Sequence, residues 1–410
     1  MRKLSAKQGV TSISVFVALV LLSLPVLFGA GRVWPSTQAQ VEPAPLLENA
    51  LVTGFTTRYT GRNAYETAVT LAQTTFPASS HANQPGAIIL ARLDSKEQLM
   101  SAVSLIHHPV DAPILFVDQD RLPPETRAAL GRFHPEGIAF DRNVQVIVVG
   151  EVSDGVVQQV EAMGLKVRRI QGTPGDPASL AEAVDDYRAA LHADHPDIVV
   201  VASLDAPDFA LPALSFVAHM PTGFAFVRRE SIPEATRRLL SRRFGPTFMY
   251  LMGPESAISE AVARELAQYG HVQRLAAPDP YALSAYFAGY RDSGQDFGYW
   301  VGRQARDFGW GIAEPGHNFT FVNPEAWAEG LAASVLSHRG KHGPILLVQQ
   351  DTVPEPVRRY LSETVRPRPA APYDQLFNHG SIVGGSDVIS LRLQGELDGL
   401  LAPQASEAED

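Results

Sequence analysis

One pattern of nineteen residues is written three times along this 410-residue chain, and it constrains the fold more than any other feature. "APILFVDQDRLPPETRAAL" (residues 112–130) returns as "TGFAFVRRESIPEATRRLL" (222–240) and as "GPILLVQQDTVPEPVRRYL" (343–361). The copies are offset by 110 residues (Pro113 to Gly223) and 121 residues (Gly223 to Pro344). A second block precedes each copy: "RYTGRNAYETA" from Arg58, "RIQGTPGDPAS" from Arg169 and "RLAAPDPYALS" from Arg274. From that arginine to the strand block is 55, 54 and 70 residues, so the third unit carries a surplus, which falls in "SGQDFGYWVGRQARDFGWG". A third block closes the units: "VQVIVVGEVSDGVVQQV", "TFMYLMGPESAISEAV" and "GSIVGGSDVIS". Three blocks in one order, three times over, require three copies of one folding unit.

Each block has a physical reading. "PILFV", "GFAFV" and "PILLV", like "AIIL" at Ala87 and "DIVVVAS" at Asp197, are continuous apolar runs, the mark of strands covered on both faces. A polar turn follows, then Pro near a helix start with Glu in the first turn: Pro124 and Glu125, Pro233 and Glu234, Pro354 and Glu355. Strand and helix alternate, which predicts small parallel α/β modules joined by right-handed crossovers. The small-residue turns of the third block place Ser153, Ser259 and Ser390 as helix N-caps.

The N-terminus speaks to compartment. Arg2, Lys3 and Lys7 precede 24 uncharged residues (8–31) that Arg32 closes. Such a run can cross a hydrocarbon core of about 30 Å as a helix, with its basic flank inside. It reads as a membrane anchor or a cleaved signal peptide (1–33), followed by a Pro- and Gln-containing linker (34–52); either places the remainder outside the cytoplasmic membrane. The repeats then divide the chain into modules 53–168, 169–273 and 274–401, with an acidic tail at 402–410. A formal charge of −10 argues against a partner that is nucleic acid, and the absence of cysteine excludes disulfides, thiol catalysis and thiolate metal sites.

The block order resembles the cell wall-binding repeat 2 family, over residues 53–401. Arg58, Gly61, Tyr65, Glu66, Thr67 and Ala68 match that family's opening motif, with Asn63 and Ala64 in place of its Asp and Arg. Arg274, Asp279 and Tyr281 match in the third unit, Arg169 and Gly172 in the second, and "LMGPESAIS" keeps the family's ending best. The resemblance implies three Rossmann-like modules in a pseudo-threefold arrangement that bind an anionic cell-wall polymer, teichoic-acid-like or polysaccharide, without catalysis and without a cofactor. Different classes stay open beside it: an enzyme or solute-binding protein acting on envelope carbohydrate in an inter-module cleft, or a scaffold for protein contacts.

Candidate ligand-binding residues follow from the repeats and from charge. Arg58, Arg169 and Arg274 recur beside a turn, where a guanidinium either meets a ligand or bonds loop carbonyls. Residues 221–243 hold six arginines against two glutamates in an otherwise acidic chain; Arg228 and Arg229 follow a strand at the end where open α/β sheets bind ligands, and Arg237 and Arg238 lie on the next helix with Arg242 and Arg243. Arg358 and Arg359 are their counterparts in the third unit. Tyr65 and Tyr281 read as aromatics with a satisfied hydroxyl, and Glu97, Asp208 and Glu329 as acids favoured at helix N-termini. Asp118, Arg228 and Gln349 end equivalent strands but differ in chemistry, which argues against a shared catalytic role. No dinucleotide fingerprint, phosphate loop or nucleophile elbow is present. His338 and His342 stand four apart where a helix is ending, and His107 and His108 read as surface residues, so no metal site is expected.

Overall fold

The apolar runs form parallel strands, and the chain deals them out to three sheets. The computed structural model describes residues 52–192, 194–294, 306–369 and 376–404. All lie in the second of two units into which the chain divides, Pro43–Asp410; the expected anchor or signal segment lies outside the described residues. Among the described residues no helix is long and apolar enough to cross a membrane.

The first strand, β1 (Thr56–Tyr59), leads into helix α1 (Ala64–Thr75). Then β2 (Ile88–Arg92), β3 (Ile114–Val117), β4 (Val146–Val149) and β5 (Val167–Ile170) form a parallel sheet in the order β3-β2-β4-β5, interleaved with α2 (Lys96–Val103), α3 (Pro124–Phe133) and α4 (Asp154–Glu161). After α5 (Pro177–His192), strands β6 (Ile198–Ser203), β7 (Gly223–Val227), β8 (Thr247–Met252) and β9 (Gly270–Leu275) repeat that order as β7-β6-β8-β9, with α6 (Leu211–His219), α7 (Glu234–Ser241) and α8 (Glu260–Leu266) between them. After α9 (Pro280–Gly289) come β10 (Asn318–Val322), α10 (Trp327–Ala332), α11 (Val335–His338), β11 (Ile345–Leu347), α12 (Glu355–Arg359), β12 (His379–Val383) and α13 (Leu391–Leu401). The third sheet runs β11-β10-β12-β1, so its fourth strand comes from the other end of the folded region.

Every sheet is thus offset from the sequence repeat. The arginine strand that opens a repeat pairs into the preceding sheet: Arg169 sits opposite Val148, Arg274 opposite Leu251 and Arg58 opposite Ile382. The helix that follows it packs on the next sheet: α5 against β7, α9 against β11 and α1 against β3. Each strand–helix pair therefore staples two modules, and α2, α6 and α10 each touch the other two where the modules meet. This cyclic order is the pseudo-threefold arrangement. It is filled by one apolar cluster reaching from Leu71 and Ile89 to Phe216 and Leu331.

Of the surplus of the third unit (293–311), residues 295–305 lie outside the described residues. Phe308 from this segment stacks on Tyr250 of β8 with ring centroids 3.7 Å apart, and Trp310 stacks on His219 at 5.2 Å. Phe308 and Trp310 thus cover part of the second module's core with aromatic area.

Candidate functional site

The carboxyl ends of the strands carry a ring of loops that the repeated residues hold in place. Arg58 donates from Nη1 to the carbonyls of Gly384 (2.7 Å) and Gly385 (2.9 Å), from Nη2 to Ile389 (2.7 Å) and from Nε to Gln394 Oε1 (2.9 Å). Arg274 reaches the carbonyls of Ile258 (2.8 Å) and Gly253 (3.3 Å). Arg169 donates to the Val152 carbonyl (2.6 Å) and pairs with Asp154. Each arginine thus reaches over the neighbouring strand to the residue just before an N-cap serine. Ser153, Ser259 and Ser390 accept from the amides of Val156, Val262 and Leu393, as expected of N-caps. Their own amides donate to Gln119, Arg229 and Gln350, in the turns after β3, β7 and β11. The three arginines clamp loops; burial lowers the proton affinity of the Arg58 guanidinium, and the nearby Asp387 opposes that effect.

The modules differ in the turn so clamped. From the glycine ending the third strand to the cap serine is six positions in the second and third modules (Gly253 to Ser259, Gly384 to Ser390) but three in the first (Gly150 to Ser153). In the long turns Ser203 Oγ donates to the Ala257 carbonyl (2.7 Å) and Asn323 Nδ2 to that of Val388 (2.9 Å); Phe209 packs on Gly253 and Val388 on Gly384. In the short turn Gln98 packs on Gly150, and its Oε1 accepts from the Glu151 amide at 3.1 Å. A cleft of about 200 Å³ remains, lined by Ser95, Gln98, Glu151, Thr173 and Asp176. It lies between the ends of β2 and β4, where the chain leaves β2 for one side of the sheet and returns on the other, beside the start of α5. Open α/β sheets bind ligands at such switch points. None of these lining residues stands out in the sequence; the three-residue shortfall of "VVGEVS" against "MGPESAIS" is the signal that marks the cleft.

The arginine-rich segment is less cationic in the fold than in the sequence. Arg228 bonds Asp205 (2.8 Å), Arg229 lies 3.3 Å from Glu230, and Arg237 pairs with Glu265. Arg238 makes two bonds to Glu182 (2.9 and 2.7 Å), and Arg242 bonds Glu182 and Asp186. Arg243 is buried on Asp185 (2.8 Å). The counterpart Arg358 pairs with Glu396. Arg228 and Arg229 keep more than half of their side-chain surface exposed, at 57% and 55%. The acids that meet Arg237, Arg238, Arg242 and Arg243 come from α5 and α8, and Asp205 from the turn after β6, all outside the segment, so a local charge count overstates the patch.

Other singled-out residues also find partners. The Tyr65 hydroxyl donates to Asp118; burial first, then that carboxylate, push its pKa up to about 12. Tyr281 bonds Gln349 at the equivalent seam. Lys96 reaches Asp208 at 2.7 Å, joining the first and second modules; Glu97 sits in the first turn of α2, and burial raises the pKa of Glu329 in α10. His338 bonds Asp111 (2.5 Å) and His342 the Ser337 carbonyl (2.8 Å), so the two imidazoles serve different partners. His107 is half-buried rather than a free surface residue: the turn after α2 packs it on His338 with centroids 5.3 Å apart, and burial lowers its pKa to about 4. Among the described residues no group of three His, Cys, Asp or Glu side chains converges as a metal site.

No family model matches the sequence, and no curated protein matches it. Solved structures do match. Cwp6 from Clostridium difficile has a TM-score of 0.65 at 18% identity, over 86% of this chain and 48% of its own. Cwp8 from Clostridium difficile has a TM-score of 0.61 at 16% identity, over 84% of this chain and 52% of its own. The three-module fold is therefore shared with these proteins, and this chain spans about half their length.

Proposed function

We propose that this chain is a non-catalytic cell-envelope protein of the cell wall-binding repeat type, which holds an anionic polysaccharide on the strand-end face. The observation that carries this reading is the fold itself: three equivalent modules in cyclic order, as in two Clostridium difficile cell wall proteins, each with its strand-end loops stapled by one arginine. Rigid loops at the carboxyl ends of parallel strands are where this architecture binds ligands. A polymer offers repeated units to repeated modules, so modest contacts add up through effective concentration. Arg228 and Arg229, more than half exposed at the strand end, offer donors for a phosphate or carboxylate on such a chain. The apolar N-terminal segment, as anchor or as signal, carries the modules across the membrane to that polymer.

The test is retention of the full chain on purified envelope fractions. Saturable retention without release of soluble fragments is expected. Arg228→Ala with Arg229→Ala should weaken retention several-fold, and added salt should act the same way because exposed charges are screened within about 8 Å at physiological ionic strength. Release of oligosaccharide would make the protein an enzyme, and absence of retention would reject the envelope reading.

A further inference from the structure

The cleft left by the short turn of the first module has the chemistry of a sugar site, and that of an anion site is lacking. Gln98 is only 9% exposed and lines it. Its Oε1 is taken by the Glu151 amide, while its Nε2 has no protein acceptor among the described residues. The side chain is almost wholly buried, but its amide nitrogen is not sealed in the protein, so on this cleft wall it is a fixed donor open to an acceptor from outside. Ser95 stands beside it at the N-cap of α2, yet its hydroxyl makes no capping bond. Two carboxylates, Glu151 and Asp176, line the same cleft. Asp176 Oδ1 accepts from the amides of Ala178 (3.1 Å) and Ser179 (3.3 Å), and Glu151 Oε1 from the Gly175 amide (2.6 Å), so each keeps a second oxygen for another donor.

We propose that this cleft is a subsite for one uncharged sugar ring, which rests on the envelope-polymer reading for the source of that sugar. A sugar hydroxyl donates one bond and accepts one. It can take the proton of Gln98 Nε2 or Ser95 Oγ and give its own to Glu151 or Asp176, a charge-assisted bond. Among the described residues, two carboxylates and no guanidinium line the cleft; of the arginines near them, Arg92 Nη1 lies 3.9 Å from Glu151 but pairs more closely with Asp94 at 2.9 Å, and Arg238, near Asp176, is held by Glu182. A phosphate or carboxylate would meet net repulsion there. A metal cation would need a third converging ligand, and none is present among the described residues. In the other modules Phe209, from the 3-10 turn after β6, and Val388, from the long turn itself, pack on the equivalent glycines, so the subsite belongs to the first module.

The experiment uses the full chain with the methyl glycosides of glucose, mannose, galactose and N-acetylglucosamine, and with glucose 6-phosphate, read by saturation-transfer NMR. At least one uncharged glycoside should saturate in the millimolar range, and glucose 6-phosphate should bind more weakly than glucose. Replacing Glu151-Val152 by Pro-Glu-Ser-Ala-Ile, the second module's turn, should abolish the signal. Ser95→Ala with Glu151→Gln, which keeps an acceptor for the Gly175 amide, should weaken it about tenfold. Overturning results are that no glycoside saturates, that the double variant binds like the parent, or that glucose 6-phosphate binds tighter than glucose. Retention on envelope material without glycoside binding overturns the subsite alone. Glycoside binding lost in both variants, without envelope retention, supports the subsite and rejects the envelope reading.

Discussion

Arg58 and Arg169 occupy the same register position on equivalent strands, yet one is sealed in the protein and the other keeps nearly a third of its side chain in water. The cause is the turn each one holds. The six-position turn of the third module wraps three carbonyls around the Arg58 guanidinium, while the three-position turn of the first offers Arg169 one carbonyl and an exposed carboxylate. A repeated residue therefore does not carry a repeated energy. Its contribution depends on the loop that another part of the repeat supplies, and the module with the looser clamp is the one with the open cleft.

The comparison is most easily broken at the clamps. Arg58→Ala should cost about 3 kcal/mol, because it strands buried carbonyls that bonded a charged donor, whereas Arg169→Ala should cost about 1 kcal/mol. Denaturant midpoints at unchanged slope measure both. Equal losses would mean that burial does not separate the two modules.

Acid should then probe a seam of the third module. His379 of β12 faces β1, bonding Thr57 at 3.1 Å, and burial followed by the nearby Lys341 lowers its pKa to about 4. The folded state thus binds fewer protons than the unfolded state between pH 4 and about 6.5, so stability falls as pH drops through that window. Allowing for the ring's partial exposure, the loss is about 1–2 kcal/mol for this histidine, and His107 adds a similar loss where it packs on His338. His379→Gln, the residue type found at the equivalent Gln145 of the first module, should flatten part of the pH dependence measured by urea unfolding. An unchanged slope would show that the β1–β12 seam does not sense acid.

The smallest contrast concerns the caps. Ser390→Ala should cost about 1 kcal/mol and Ser153→Ala about half as much, since the capping distances are 3.1 and 3.4 Å. Thermal unfolding of the two variants sharpens the ranking if Ser390→Ala melts lower, and the reverse order would detach cap strength from turn length.

Much of this architecture is legible in the residues themselves. Continuous apolar runs such as "PILLV", short and bounded by turn residues, read as strands buried on both faces, and Ser153, Ser259 and Ser390 announce their helices because a hydroxyl before an apolar period satisfies orphan amides. The three arginines are legible as recurring positions, and their bonding to loop carbonyls is one of the two roles a guanidinium beside a turn can take. The acids that meet Arg237, Arg238 and Arg242 are not legible. They stand on α5 and α8, and helical spacing along α7 says nothing of what packs across from it.

By itself, then, the sequence determined the three units, their strands, turns and caps, since these depend on hydrophobic period and local hydrogen bonding within a few residues. Only the tertiary structure decided that each arginine strand joins the preceding sheet, that β1 completes the sheet of β12, and that a three-residue shortfall opens a cleft beside Gln98. Parallel pairing leaves no mark on the strand itself. Its partner is chosen by where the crossover helix finds an apolar face to cover, and that face is assembled from segments more than three hundred residues apart, as between Arg58 and Ile389.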